Sequence, residues 1–137
     1  MLTIAKGHYA LSKRTLPAPV SFIPEDCTSL DFESEKFDTV VDTFGLCSVK
    51  DPVKVLEELK RVTKPDGKIL LLEHGMGTWD WLNSALNKTA HDHASKWGCW
   101  WNRDIKKFID ESGLQVEEFK RYHFGTTYWI VCKRKLE

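Results

Sequence analysis

A chain of 137 residues with 42% hydrophobic and 29% charged side chains has enough apolar material for one buried core, which excludes a disordered tail and predicts a single domain over residues 1–137. Twenty basic and twenty acidic side chains cancel, so no global field gathers phosphate backbones and nucleic acid is not an expected partner. Cys27, Cys47, Cys99 and Cys132 form no Cys-x-x-Cys pair, which points to reduced thiols, and apolar runs such as Ile69 to Leu72 are far short of a membrane span.

In chain order, Leu2, Ile4, Ala5 and Tyr9 make a loose helical stripe. Met1 to Arg14 carries Lys6, Lys13 and Arg14 without an acid, superficially like a transit peptide, and an ordinary amphipathic helix is the simpler reading. Pro17 and Pro19 stop that helix, and a short strand is predicted at Val20 to Ile23. Phe37 to Thr43, with little alternation around Val40 and Val41, predicts a central parallel strand covered on both faces. Asp51 is a capping residue and Pro52 suits the first helical position, after which Val55, Leu56, Leu59 and Val62 share one face through Thr63. Lys64-Pro65-Asp66-Gly67 predicts a turn and Lys68 to Glu73 a buried strand, which together make a βαβ crossover.

From 75 to 101 the pattern loosens. Trp79, Leu82 and Leu86 predict a helix that His91-Asp92-His93 does not continue, and the segment reads as an insertion or lid over one edge of the sheet. Asn102 is the predicted cap of a last helix carrying Ile105, Phe108 and Ile109 and closed by Gly113. Gln115 to Tyr122 and Thr127 to Lys133 then form an antiparallel hairpin. The fold class is α/β: part of a doubly wound, Rossmann-like sheet ending in that hairpin, whose ligands bind beyond the carboxyl ends of the strands. Those ends hold Glu25-Asp26-Cys27, Thr43-Phe44-Gly45-Leu46 and Glu73-His74-Gly75.

Four segments together resemble the class I S-adenosylmethionine-dependent methyltransferases. They are Glu25-Asp26-Cys27-x-x-Leu30-x-Phe32, Phe37-Asp38-x-Val40-Val41, Leu56-x-Glu58-x-x-Arg61-Val62-x-Lys64-Pro65-x-Gly67, and Gly98-Cys99. Leu46-Cys47-Ser48-Val49 and Leu72-Glu73-His74 resemble the small membrane-associated methyltransferase-like proteins and their fungal mitochondrial relatives. The resemblance implies a sheet order of third, second, first, fourth, fifth, seventh, sixth, in which Phe37 to Thr43 is the fourth strand. It implies S-adenosylmethionine as cofactor, with Asp26 and Cys27 at the adenine and Thr43, Phe44 and Gly45 packing the cofactor near the methyl group. It also implies a mitochondrial location with peripheral membrane association.

The family's first strand, glycine-rich loop and second-strand acid would all precede Met1, and no Gly-x-Gly-x-Gly occurs in the 137 residues. The chain is therefore expected to be the C-terminal part of a methyltransferase domain, binding cofactor weakly in this form. The expected function is methyl transfer to an unidentified small-molecule or protein acceptor; the alternative is a cofactor-free interaction module that keeps part of the fold.

Methyl transfer from a sulfonium requires that the acceptor be positioned and deprotonated. Glu73 and His74, at the mouth of a strand, are the candidates to bind that acceptor, the alternative being a solvated strand end. His91, His93 and Cys99 are zinc-ligand types, but His-x-His followed by a lone Cys matches no common site and no metal is expected. Trp79, Trp81, Trp97, Trp100 and Trp101 suit a packed lid, with an apolar substrate or a membrane surface as alternatives. Cys47 lies in an apolar segment, where a thiol is inert.

Overall fold

The computed structural model describes residues 2–11 and 19–135. The predicted stop at Pro17, and the basic residues Lys13 and Arg14, lie outside the described residues.

Four strands and four helices follow in the order α1 (Leu2–Leu11), β1 (Phe37–Thr43), α2 (Pro52–Val62), β2 (Thr63–His74), α3 (Asp80–Trp97), α4 (Ile105–Ser112), β3 (Leu114–Tyr122) and β4 (Thr127–Arg134). The sheet order is β1-β2-β4-β3, with β1 and β2 parallel and the other two pairs antiparallel. This is the fourth, fifth, seventh, sixth arrangement that the resemblance implies.

α2 forms where the sequence specifies it. Asp51 Oδ1 accepts from the Lys54 amide at 3.0 Å and Pro52 opens the helix. Its buried face is Val55, Leu56, Leu59 and Val62, and the first three pack with Ile105 and Ile109 of α4 on the sheet residues Ile69, Leu71 and Ile130. α4 is capped by Asp104, whose carboxylate accepts from the Lys107 amide, and not by Asn102, which donates instead to Asn87. Gly113 closes α4 in the left-handed conformation, as predicted.

Four expectations are corrected. Residues 20–23 form no strand: Val20 and Ile23 are exposed, and with Pro19 and Pro24 on either side no ladder partner among the described residues holds the segment extended. β1 is not central. Among the described residues it pairs with β2 alone, and Val41 is 62% exposed on the face away from α2. Lys64 to Gly67 bulge within β2 instead of preceding it, because Phe37 pairs with Thr63 while Thr39 pairs with Lys68. Finally, α3 runs through His91-Asp92-His93 to Gly98. It buries only Ala90, so no apolar stripe marks its extent in the sequence.

Candidate functional site

A half-buried acid, Asp42, and a buried one, Glu73, underlie the carboxyl ends of β1 and β2. Asp42 follows Val40 on the inward side of β1, and Glu73 follows Ile69 and Leu71 on β2. Glu73 is fully buried, not solvated at the mouth, and its Oε1 accepts from the Gly45 amide at 3.1 Å. The two carboxyls lie close enough to influence each other's ionisation. Burial first, and then the Asp42 charge, push Glu73 up to about 8, and burial also raises Asp42. Asp42 Oδ2 and Glu73 Oε2 are buried without a hydrogen-bond partner, a lack that one proton shared between the carboxyls would meet.

This pair fixes the loop above it. A Cβ on Gly45 would lie 2.2 Å from Asp42 Oδ1, so only glycine lets the chain cross the acids this closely. Phe44, one residue earlier, has φ 54°, a strained conformation for a bulky residue that costs about 1–3 kcal/mol. Its amide extends the parallel ladder to the Leu72 carbonyl at 2.8 Å, and its ring lies against His74 at 4.3 Å. Leu46 and Cys47 are buried, and their carbonyls accept from the Arg103 guanidinium at 2.6 Å and the Trp100 amide at 2.8 Å.

Asp26 and Cys27 flank this loop. Asp26 Oδ1 accepts from the Thr28 amide at 2.8 Å and the Thr28 hydroxyl at 2.7 Å, and these bonds hold the exposed carboxyl below its usual range. The segment is anchored by α2. Arg61 donates to the Leu30 and Phe32 carbonyls at 2.9 and 2.7 Å, and Glu58, paired with Arg61, accepts from the Leu30 amide at 2.9 Å. An open cleft of about 410 Å³ beside Asp26 is lined also by Cys27, Thr28, Val49 and Lys54. An ionised carboxylate at the wall of a cleft fits the exocyclic amine of an adenine, which is a donor.

On the other side His74 lines a mainly apolar cavity of about 300 Å³ with Leu82, Leu86, Trp101, His123 and Phe124. Burial first, then the neighbouring charges of His93 and His123, lower the His74 pKa and keep its imidazole neutral at pH 7. Trp101 is tied down by its indole N–H to the Leu86 carbonyl at 3.2 Å and by a stacked His93 ring at 3.8 Å. Trp79, Trp81 and Trp97 stay exposed, so they do not provide the packed lid expected of them.

The structure thus gathers Thr43, Phe44, Gly45, Glu73 and His74 at one end of the sheet, with Asp26 and Cys27 across the loop. Sequence reasoning missed Asp42, whose signal was its place in the inward alternation after Val40. The ligand-type residues it weighed, His91, His93 and Cys99, do not converge. His91 lies against Trp100 and His93 Nδ1 bonds the Cys99 carbonyl at 2.8 Å, whereas the side chains that converge are Cys47, His74 and Cys99. No helix among the described residues is long and apolar enough to cross a membrane.

A mixed sheet in this strand order, with an open cleft and an apolar cavity at the carboxyl ends, is the arrangement of the Rossmann-like methyltransferases. Residues 1–71 match the methyltransferase domain family, and the chain belongs to it. It is 49% identical over 110 residues to the mitochondrial methyltransferase OMS1 of Saccharomyces cerevisiae, a match covering 78% of this chain and 23% of that protein. It is 40% identical over 78 residues to a demethylmenaquinone methyltransferase of Renibacterium salmoninarum, covering 57% of this chain and 32% of the other. The chain therefore spans between about a quarter and a third of these relatives. In fold it is similar to a methyltransferase-like protein from Bacillus halodurans, with TM-score 0.71 and 14% identity over 96% of this chain and 74% of that one. The YcgJ protein of Bacillus subtilis gives TM-score 0.72 at 14% identity, covering 99% and 79%.

Proposed function

We propose that this chain forms the adenine-binding and acceptor-side part of an S-adenosylmethionine-dependent methyl-transfer site. The observation that carries the reading is the strained Phe44-Gly45 turn, held over the Asp42–Glu73 pair between the Asp26 cleft and the His74 cavity. Strain of this kind persists only where surrounding structure over-determines it, and it collects at ligand sites.

Asp26 accepts the adenine amine, and Cys27 supplies the adjoining backbone. Phe44 and Gly45 lie along the cofactor, close enough for contact because Gly45 has no side chain. When bound, the cofactor supplies the electrophilic methyl group. The neutral His74 imidazole faces the apolar cavity and is the group able to take a proton from an acceptor held there. Glu73 acts from below by holding the Gly45 amide, so it positions the turn without touching the acceptor.

The acceptor class is small and largely apolar, from the lining of the cavity. A mitochondrial location is proposed from the likeness to OMS1. The test is calorimetric titration of the chain with S-adenosylhomocysteine, and of Asp26→Ala. Weak binding is expected because no Gly-x-Gly-x-Gly is present to meet the methionine and ribose ends, with a further loss of about tenfold in the variant. An unchanged constant in Asp26→Ala would return Asp26 to the role of a turn residue.

A further inference from the structure

Two thiols and an imidazole from three separate parts of the chain meet at the carboxyl end of the sheet. Cys47 follows the Phe44-Gly45 turn, His74 ends β2, and Cys99 follows the left-handed Gly98 that closes α3. Cys47 and Cys99 are buried and His74 is half-buried. Cys99 Sγ lies 3.1 Å from Cys47 Sγ and 3.8 Å from His74 Nδ1, and the ligand atoms all lie within 4.8 Å of one another.

We propose that Cys47, His74 and Cys99 form a binding site for one zinc-class cation; it shares His74 with the methyl-transfer reading, and because an ion on Nδ1 leaves only an N–H at Nε2, metal binding and proton acceptance are alternative states of that ring. The ligand set is the first support. Thiolate sulfur and imidazole nitrogen are the donors that soft and borderline cations select, and two Cys with one His is a known catalytic zinc set, which leaves the fourth position to water or a substrate atom.

The distances are the second. Bonds of about 2.3 Å to sulfur and about 2.0–2.1 Å to nitrogen at tetrahedral angles place two sulfurs about 3.8 Å apart and sulfur and nitrogen about 3.6 Å apart. The Cys99 Sγ to His74 Nδ1 separation of 3.8 Å already fits, and Cys47 Sγ lies within 4.8 Å of the imidazole ligand atom. The two sulfurs need to open by about 0.7 Å, a small rotation of one thiol.

The third support is that the backbone is already organised for it. The Trp100 amide bonds the Cys47 carbonyl at 2.8 Å, the Arg103 guanidinium bonds the Leu46 carbonyl at 2.6 Å, and His93 bonds the Cys99 carbonyl at 2.8 Å. The first two bonds clamp the loop after β1 to the loop after α3 and the third ties Cys99 to α3, so the entropy of bringing residues 52 positions apart together is met by the fold before any ion arrives. A divalent cation and two thiolates sum to zero charge, which suits a buried site. Binding releases the two thiol protons to solvent and changes no oxidation state. A disulfide between Cys47 and Cys99 would use the same two sulfurs, but it gives no role to the converging His74 ring.

The test is made on the full chain, purified under a thiol-free reductant and loaded with zinc. Elemental analysis after removal of excess metal is expected to give one zinc per chain, and X-ray absorption to give two sulfur ligands with nitrogen or oxygen completing the shell. Cobalt substitution of the same chain is expected to show the sulfur-to-metal charge-transfer band of thiolate ligation. Cys47→Ser and Cys99→Ser should each lower zinc affinity by at least a hundredfold and His74→Gln by at least tenfold, while Cys27→Ser and Cys132→Ser leave it unchanged.

Where a cysteine variant fails to fold, the cobalt spectrum of the unmodified chain decides. No stoichiometric zinc, a zinc shell without sulfur, or equal affinity in His74→Gln would overturn the proposal. So would intact mass showing a Cys47–Cys99 disulfide that persists in reductant and excludes zinc.

Discussion

Replacing Gly45 by alanine tests the architecture of the turn directly. The added methyl would sit 2.2 Å from Asp42 Oδ1 and 2.8 Å from its Cγ, so either the Asp42 side chain or the loop must move. Overpacking of this kind costs about 1–3 kcal/mol. Movement of the loop also loses the Gly45 amide bond to the buried Glu73 oxygen, at a further cost of about 1–3 kcal/mol. The combined loss, about 2–6 kcal/mol, is a large share of the about 5–15 kcal/mol typical of a domain. Equilibrium urea unfolding measures it, and a double-mutant cycle with Asp42→Ala identifies the cause. Removing the Asp42 carboxyl vacates the space the methyl needs, so the alanine should cost less than about 1 kcal/mol in that background. A cost within about 0.5 kcal/mol of zero in the original chain, or an equal cost in both backgrounds, would refute the argument.

Three further outcomes are expected. Asp26 should titrate below the usual carboxylate range by NMR, and Thr28→Val should move it upward; with its pKa depressed in the fold, its stabilising bonds are present above the unfolded value and lost as pH falls through the folded one, so an unchanged titration in Thr28→Val would show that Thr28 is not the cause. Arg61→Ala should speed amide exchange across residues 26–32, because Arg61 holds the Leu30 and Phe32 carbonyls; unaltered exchange there would show that α2 does not anchor the adenine loop. The edge of β1, which has no partner among the described residues, and the exposed Val41 should make the chain self-associate with rising concentration in sedimentation velocity, and Val41→Lys should reduce this; a monomer at every concentration would contradict the edge argument.

Much of the fold was legible because local signals and packing agree in its centre. Asp51-Pro52, the apolar face of α2 and the uninterrupted Ile69 to Leu72 all point to one crossover, and it formed. The failures share a cause: elements whose identity depends on distant partners. Val20 to Ile23 has strand composition but no ladder partner among the described residues. α3 is a helix with almost no buried face, so periodicity could not report its length. In the site, Gly45 and Glu73 were found as strand-end residues, while the contact between Asp42 and Glu73 required the register of two strands. Cys47 and Cys99 were read apart because nothing local joins residues brought together by two loops and a helix terminus.

The central claim is that the carboxyl ends of β1 and β2, with the Asp26 loop, form the cofactor face. Amide chemical-shift mapping of the chain, titrated with S-adenosylhomocysteine to millimolar concentration, tests it most directly, because it locates even weak binding residue by residue. The account predicts shifts confined to Asp26, Cys27, Thr43, Phe44 and Gly45, with a smaller effect at His74. Shifts centred on α1 or the outer strand β3, or none anywhere in the titration, would contradict it.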